Sequence, residues 1–357
     1  MKKLKIAVIG AGGISRCAHL PAYAKMDNVE IVALCDILED RAKEVAEQFG
    51  IPAVYTDYRE VFKIEGLDAI DICTPNYLHS IIAVEALNSG LNVFCEKPDA
   101  VSVEEAEKMR SAAEKNGKLL MVMRNNRYMP TSMYLKQYID AGNMGEIYTA
   151  RCAWRRRRGI PGKGGWFTTK AQSGGGPLID LGVHMIDLSI WLMGNPKPVA
   201  VSGCTYCKFA NSEASDSANS DFGDKKSDGT FDVEDLAMGF IRFDNGASMQ
   251  IEFSWASNVE MEQRFVELRG TKAGASWTSY DEKLKIFTEE FGKTVDILPN
   301  VDNLSGMNGH EANLRHFADV LLNGAKPIFV PQQGIDMIKI LTAMYKSAEE
   351  GREIALD

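Results

Sequence analysis

The run Lys5-Ile6-Ala7-Val8-Ile9-Gly10-Ala11-Gly12-Gly13-Ile14 constrains the fold of this chain more than any other stretch. Lys5 to Ile9 is short, apolar and β-branched, which suits a central parallel strand covered on both faces. Gly10 permits a tight turn, and Gly12 lets the backbone approach a pyrophosphate with no Cβ in the way. The segment that opens at Gly13 and Ile14 reads as a helix whose free N–H groups and positive dipole end attract phosphate. Strand, glycine turn and helix together predict a dinucleotide-binding βαβ unit, with Ser15 standing where a third glycine or alanine is usual. A second strand, Val29 to Cys35, ends at Asp36. An acid there binds adenosine ribose hydroxyls and repels a 2′-phosphate, so Asp36 favours NAD over NADP. Its other reading is as the cap of the next helix, and Arg41 is the residue that argues for NADP.

The chain has 357 residues, room for two domains. Its net charge of −9 and lack of a basic tail make nucleic acid an unexpected partner. Charge or glycine interrupts every apolar stretch and no leader pattern is visible, so neither a membrane span nor membrane association is expected. Seven scattered cysteines fit reduced thiols and a cytoplasmic location. Cys204-Thr-Tyr-Cys207 lacks further ligands nearby, so no metal site is expected.

Residues 1–122 alternate strand and helix patterns, which predicts a doubly wound parallel sheet of Rossmann type with ligands at the C-terminal strand ends. Residues 123–357 change texture. They hold a helix near Thr131 to Ala141, an alternating strand from Ile147 to Arg158, and an apolar helix near Leu181 to Met193. Strand-like runs to Thr288 then precede a last helix near Gln333 to Glu350. That order predicts an α+β domain built on a large, mostly antiparallel open sheet. Residues 211–230 are polar and read as an exposed loop.

Three segments carry candidate chemistry. Thr74-Pro75-Asn76 follows the strand ending at Cys73, where Asn76 offers an amide to the cofactor crevice. His79 reads either as a ribose or phosphate contact or as a helix cap. Glu96-Lys97-Pro98 follows the strand ending at Cys95, so Lys97 stands where a substrate would meet a nicotinamide. In Gly174-Gly-Gly-Pro-Leu-Ile-Asp180-Leu-Gly-Val-His184-Met-Ile-Asp187, positions 180, 184 and 187 fall within an arc of roughly 60° on an ideal helix. Two aligned carboxylates would raise the basicity of His184 and orient its ring, as a general base requires.

The glycine run from Gly10 and these three segments, in this order and spacing, resemble the glucose–fructose oxidoreductase / inositol dehydrogenase / rhizopine-catabolism (Gfo/Idh/MocA) family. The resemblance is strong over residues 1–195 and looser beyond. It implies reversible NAD(P)-dependent oxidation of a hydroxyl on a sugar, cyclitol or related polyol. It also implies a homodimer or homotetramer joined through the open sheet of the second domain. Carried across, Lys97 would polarise the reacting hydroxyl, His184 would take its proton, and Asp180 would orient substrate and base. Glu96 would lie near the nicotinamide ribose, and Arg127 resembles an arginine near the start of the second domain. The substrate side would draw on Asp187, on Trp166 as a stacking platform and on His310. The run Arg155 to Arg158 alternates faces on a strand, so two of its members would face the pocket; Arg157 is taken as one of them. The run reads either as a clamp on an anionic or hydroxylated substrate or as a basic strand paired with acids. Two alternatives use the same fold: a glycoside hydrolase that borrows NAD transiently, and a sensor that binds NAD or sugar without catalysis.

Overall fold

The computed structural model describes residues 3–216, 222–280, 282–301 and 306–356. Its N-terminal part is a six-stranded parallel sheet in the order β3-β2-β1-β4-β5-β6, formed by β1 (Leu4–Ile9), β2 (Val29–Cys35), β3 (Val54–Tyr55), β4 (Ala69–Ile72), β5 (Asn92–Cys95) and β6 (Leu120–Val122). β1, β4 and β5 are buried almost throughout because helices cover both faces. The strand order reverses between β1 and β4, so their C-terminal ends splay apart and open a crevice. Gly10, Thr74 and Glu96 each sit one or two residues past a strand end at that crevice. The helix after β1 contains one wide π-turn, Ser15–His19, which carries His19 into the interior. The helix Val103–Asn116 is held at its start by Ser102, whose side chain accepts from the Glu105 N–H, and ends at Gly117 in the left-handed conformation.

The second sheet has nine strands in the order β14-β13-β12-β11-β7-β10-β9-β8-β15. They are β7 (Ile147–Arg155), β8 (Pro198–Tyr206), β9 (Leu236–Phe243), β10 (Ser248–Ser254), β11 (Gln263–Gly270), β12 (Gly274–Thr278), β13 (Leu284–Glu290), β14 (Lys293–Ile297) and β15 (Ile354–Ala355). All neighbours are antiparallel except β7 and β10, which run parallel at the centre. One face packs against the helices Val183–Leu192 and Pro331–Glu350. Gly203 and Gly239 are required there: a Cβ on either would stand 2.0 or 2.4 Å from the Met344 sulfur of the latter helix. The other face is uncovered and carries the ion pairs Arg151–Glu267 and Arg155–Glu252 beside Met238 and Phe287. No helix among the described residues is long and apolar enough to cross a membrane.

Residues 211–230 were expected to form an exposed loop, and residues 217–221 lie outside the described residues. The described flanks are largely exposed, as expected, and also fold back against the crevice. Glu213, Ala214, Asp216, Phe222, Gly223 and Asp224 line the crevice. Gly162 and Gly165 make this possible, since a Cβ on either would meet the backbone of Gly223 or Asp224 at 2.9 or 2.2 Å.

Candidate active site

A crevice of about 1670 Å³ runs from the glycine turn to the second sheet. Gly10, Gly12, Gly13 and Ile14 form one wall. Gly10 has φ +107°, and a Cβ there would lie 2.5 Å from the Cys73 carbonyl, so only glycine fits the turn. A Cβ on Gly12 would meet nothing within 4 Å, which leaves its backbone open to a ligand. Asp36 sits at the rim, accepting from the Ala11 N–H at 2.8 Å and the Leu38 N–H at 2.9 Å. Arg41 also lines the crevice, where its guanidinium meets the Asp224 carboxylate at 3.2 Å. Thr74 and Pro75 lie beside the glycine turn, and the buried Thr74 hydroxyl has no hydrogen-bond partner among the described residues. An unpartnered buried hydroxyl, a glycine face open to phosphate and a rim carboxylate suit a dinucleotide. Asn76 lines the same wall but donates to the Ser173 carbonyl at 2.7 Å, tying the two halves of the chain together.

Lys97 meets Asp180 at the far end. Its Nζ donates to Asp180 Oδ1 at 2.8 Å and to the Asp180 carbonyl at 3.0 Å. The Trp255 indole N–H holds Asp180 Oδ2 at 2.9 Å. Burial alone would raise the Asp180 carboxyl; the Lys97 and Arg156 charges and these hydrogen bonds outweigh it and bring it to about 2. His184 faces the same space. Burial and the Lys97 ammonium push it well below the usual histidine range, with Asp180 and Glu96 opposing weakly. Both causes disfavour the imidazolium form and favour the neutral ring.

That result reverses the expectation of a histidine made more basic by two aligned carboxylates. Asp187 is absent from the crevice. It is buried in a bidentate ion pair with Arg127, at 2.7 and 2.8 Å, and also accepts from Arg124 Nε at 2.8 Å. The wide turn Leu178–Gly182 precedes the regular helix Val183–Leu192, so the ideal angle per residue does not hold across 180–187. Arg127 is likewise fully buried, bonded to Asp187, Gln333 and the Ile328 carbonyl, and does not reach the substrate space. His79 is internal too: its ring nitrogens lie 2.7 and 2.9 Å from the Pro98 and Thr74 carbonyls, so it braces the two crevice loops. Arg157 is exposed outside the crevice, whereas Arg156 and Arg158 line it. The alternation of the arginine run was legible; its parity was not, although Trp154 on the same face offered a guide.

Trp166 lines the crevice with its ring stacked on Phe167 at 3.8 Å. His310, near the start of the helix Gly309–Asn323, also faces it. Burial lowers His310 to about 4; the Glu96 carboxylate opposes this, and the His19 and Lys97 charges reinforce it.

Sequence reasoning missed the group beneath the floor. His19 bridges two carboxylates, Asp71 Oδ2 at 2.7 Å and Glu96 Oε1 at 2.8 Å, and is fully buried. Burial would lower it, but Asp71 and Cys73 hold it well above the ordinary range. Glu96, which burial would raise, is held well below its ordinary value chiefly by the His19 hydrogen bond and charge. The other Glu96 oxygen accepts from the Lys97 backbone N–H at 3.0 Å. His19, Asp71 and Cys73 bring metal-ligand atom types within 4.8 Å of one another. Both ring nitrogens, however, are engaged at hydrogen-bond distance, which marks an ion-pair network. Glu234 was also missed; it accepts from the Gly176 and Leu178 N–H groups and the Tyr345 hydroxyl, anchoring the turn before Asp180.

Comparison with known proteins matches both parts of the chain. The family model "Oxidoreductase family, NAD-binding Rossmann fold" matches residues 4–124, and "Oxidoreductase family, C-terminal alpha/beta domain" matches residues 136–356. The chain is 31% identical to D-glucoside 3-dehydrogenase of Escherichia coli (strain K12), over 99% of this chain and 97% of that protein. It is 26% identical to scyllo-inositol 2-dehydrogenase (NAD(+)) of Bacillus subtilis (strain 168), over 99% and 97%. Among solved structures, levoglucosan dehydrogenase in complex with NADH superposes with a TM-score of 0.86 at 23% identity, covering all of both chains.

Proposed function

We propose that this chain, which belongs to the Gfo/Idh/MocA family of NAD-binding oxidoreductases, oxidises a hydroxyl of a sugar or glycoside. One observation carries the reading: the Lys97–Asp180 pair and His184 share one crevice with the glycine turn. NAD, when bound, supplies the hydride acceptor. Lys97 has three N–H donors and spends two on Asp180, which leaves one for the substrate oxygen. Its ammonium opposes the negative charge that develops on that oxygen. His184 takes the hydroxyl proton at a ring nitrogen. Asp180 acts through Lys97, and Trp255 holds Asp180 in place. The glucoside dehydrogenase relative makes a glycoside hydroxyl the first choice of substrate. The uncovered face of the nine-stranded sheet, with Met238, Phe287 and Tyr206 each about two-fifths exposed, supports a subunit contact there.

The test is a screen for NADH formation across glucosides, cyclitols and anhydrosugars, run beside His184→Asn. The expected result is turnover with at least one class, and a loss of about 10²–10⁴ in kcat in the variant with NADH affinity intact. Near-wild-type turnover in His184→Asn would remove its role as base. Substrate cleavage without net NADH release would replace the dehydrogenase with a hydrolase that borrows NAD.

A further inference from the structure

At the substrate end of the crevice two cations lie together, and among the described residues no carboxylate pairs with either at ion-pair distance. Arg264 on β11 pairs directly across from Trp154 on β7, and Arg156 follows Trp154 by two residues, so all three project from one sheet face. The guanidinium carbons of Arg156 and Arg264 lie 5.1 and 4.9 Å from the centre of the Trp154 ring, and Arg264 is also 4.9 Å from that of Trp277. The Trp154 ring is in turn 6.1 Å from His184. Arg156, Arg264 and Trp154 all line the crevice beside Lys97.

Elsewhere in this acidic protein, arginines in comparable settings meet carboxylates: Arg124 and Arg127 on Asp187, Arg155 on Glu252, Arg315 on Glu311. Among the described residues, neither Arg156 nor Arg264 has a carboxylate within 4 Å. The recorded side-chain hydrogen bond of Arg156 is to the Gly159 carbonyl at 3.1 Å. The nearby acids are otherwise placed. Asp180 has both oxygens taken by Lys97 and Trp255, Glu262 is exposed and accepts from the Arg157 N–H, and Glu282 acts on Arg264 beyond ion-pair distance. Burial disfavours the charged form of Arg264, and its neighbour Arg156 disfavours it further. Two like charges, partly desolvated and flanked by indole rings, are a costly arrangement that an incoming anion would relieve.

We propose that Arg156 and Arg264 form a subsite for an oxyanion, a carboxylate or phosphoryl group, carried by the sugar whose hydroxyl meets Lys97 and His184. The arrangement suits it: paired planar forks bind oxyanions with charge-assisted hydrogen bonds, and the Trp154 ring that both guanidinium groups overlie is 6.1 Å from His184, which puts the anion within a sugar's reach of the reacting hydroxyl. This rests on the sugar-dehydrogenase reading above.

The test titrates the NADH-loaded enzyme with methyl β-D-glucoside, methyl β-D-glucuronide and glucose 6-phosphate, following quenching of nicotinamide fluorescence. One anionic ligand is expected to bind at least about tenfold more tightly than the glucoside. That advantage shrinks with added salt and disappears in Arg264→Gln, while glucoside affinity changes less than about twofold. Which anion leads identifies the oxyanion. Glucoside binding with no anionic advantage in the wild type, or an advantage insensitive to salt, overturns the subsite and leaves the dehydrogenase reading standing. Failure of all three to bind overturns both. The salt dependence of the wild type decides the matter even if Arg264→Gln does not fold.

Discussion

Lys97 does two things at once. Under the proposed function its ammonium meets a substrate oxygen, and its charge, together with burial, disfavours the imidazolium form of His184. Removing that charge should lower catalysis and shift its pH dependence in a known direction. Lys97→Met is expected to reduce kcat by about 10²–10³, the usual loss when a charge-stabilising donor is removed. In the wild type the acid limb of the oxidation rate should fall well below the ordinary histidine pKa of about 6.5. Without the ammonium, protonated His184 becomes less costly, so its pKa rises and the limb moves toward 6.5. A pH–kcat profile of the residual activity checks this; a limb that stays put or moves down contradicts the coupling. At this scale, residue type and position in a motif were informative for Lys97, Asp180 and His184, which the fold brings together. Asp187 and Arg127 misled because a polar residue's identity does not disclose its partner, and each found the other.

The two π-turns show what an element-level reading misses. Ser15–His19 falls in an expected helix and Leu178–Gly182 overlaps only the start of another, expected near Leu181, yet their extra width decides where His19 and Asp180 project relative to the helix that follows. His19 is thereby lodged between Asp71 of β4 and Glu96 beyond β5, joining two strand ends under the crevice. His19→Ala would strand two buried carboxylates, at a cost of about 3–5 kcal/mol. Signs follow from the shifts. A histidine held above its ordinary value contributes fully below about pH 6.5 and loses its effect as pH rises through its folded-state value. A glutamate held below its ordinary value contributes above about pH 4.3 and loses its effect as pH falls through its folded-state value. The stability gap between wild type and variant should therefore be widest from about pH 4.3 to 6.5. Urea unfolding across that window tests it; a gap under about 1 kcal/mol would mean the network contributes little.

Across the whole molecule, the crevice is lined by residues from both sheets and their loops. Asn76 on Ser173, Lys97 on Asp180 and Arg124 on Asp187 each join a residue of the first sheet's loops to one beside the second sheet. The open face of that second sheet mixes ion pairs with exposed Met238 and Phe287, a pattern suited to association. If subunits join there, Met238→Lys with Phe287→Glu should yield a smaller species in sedimentation velocity while NADH binding persists. An unchanged sedimentation coefficient in an oligomeric protein would place the contact elsewhere. The edge strands β14 and β15 escaped the sequence reading for a simple reason. Lys293–Ile297 is largely polar and Ile354–Ala355 spans two residues, so neither carries enough hydrophobic period to stand out.

The sequence alone determined the parallel sheet, its glycine turn, the acid at Asp36 and the identity of the lysine, aspartate and histidine, because each depends on local backbone demands or on a short motif. Tertiary structure decided the pairings: Asp187 with Arg127, His19 with Glu96, and Arg156 with Arg264 about Trp154. Those choices depend on which distant side chains share a buried space, and no spacing along the chain encodes the field that each charge will feel there.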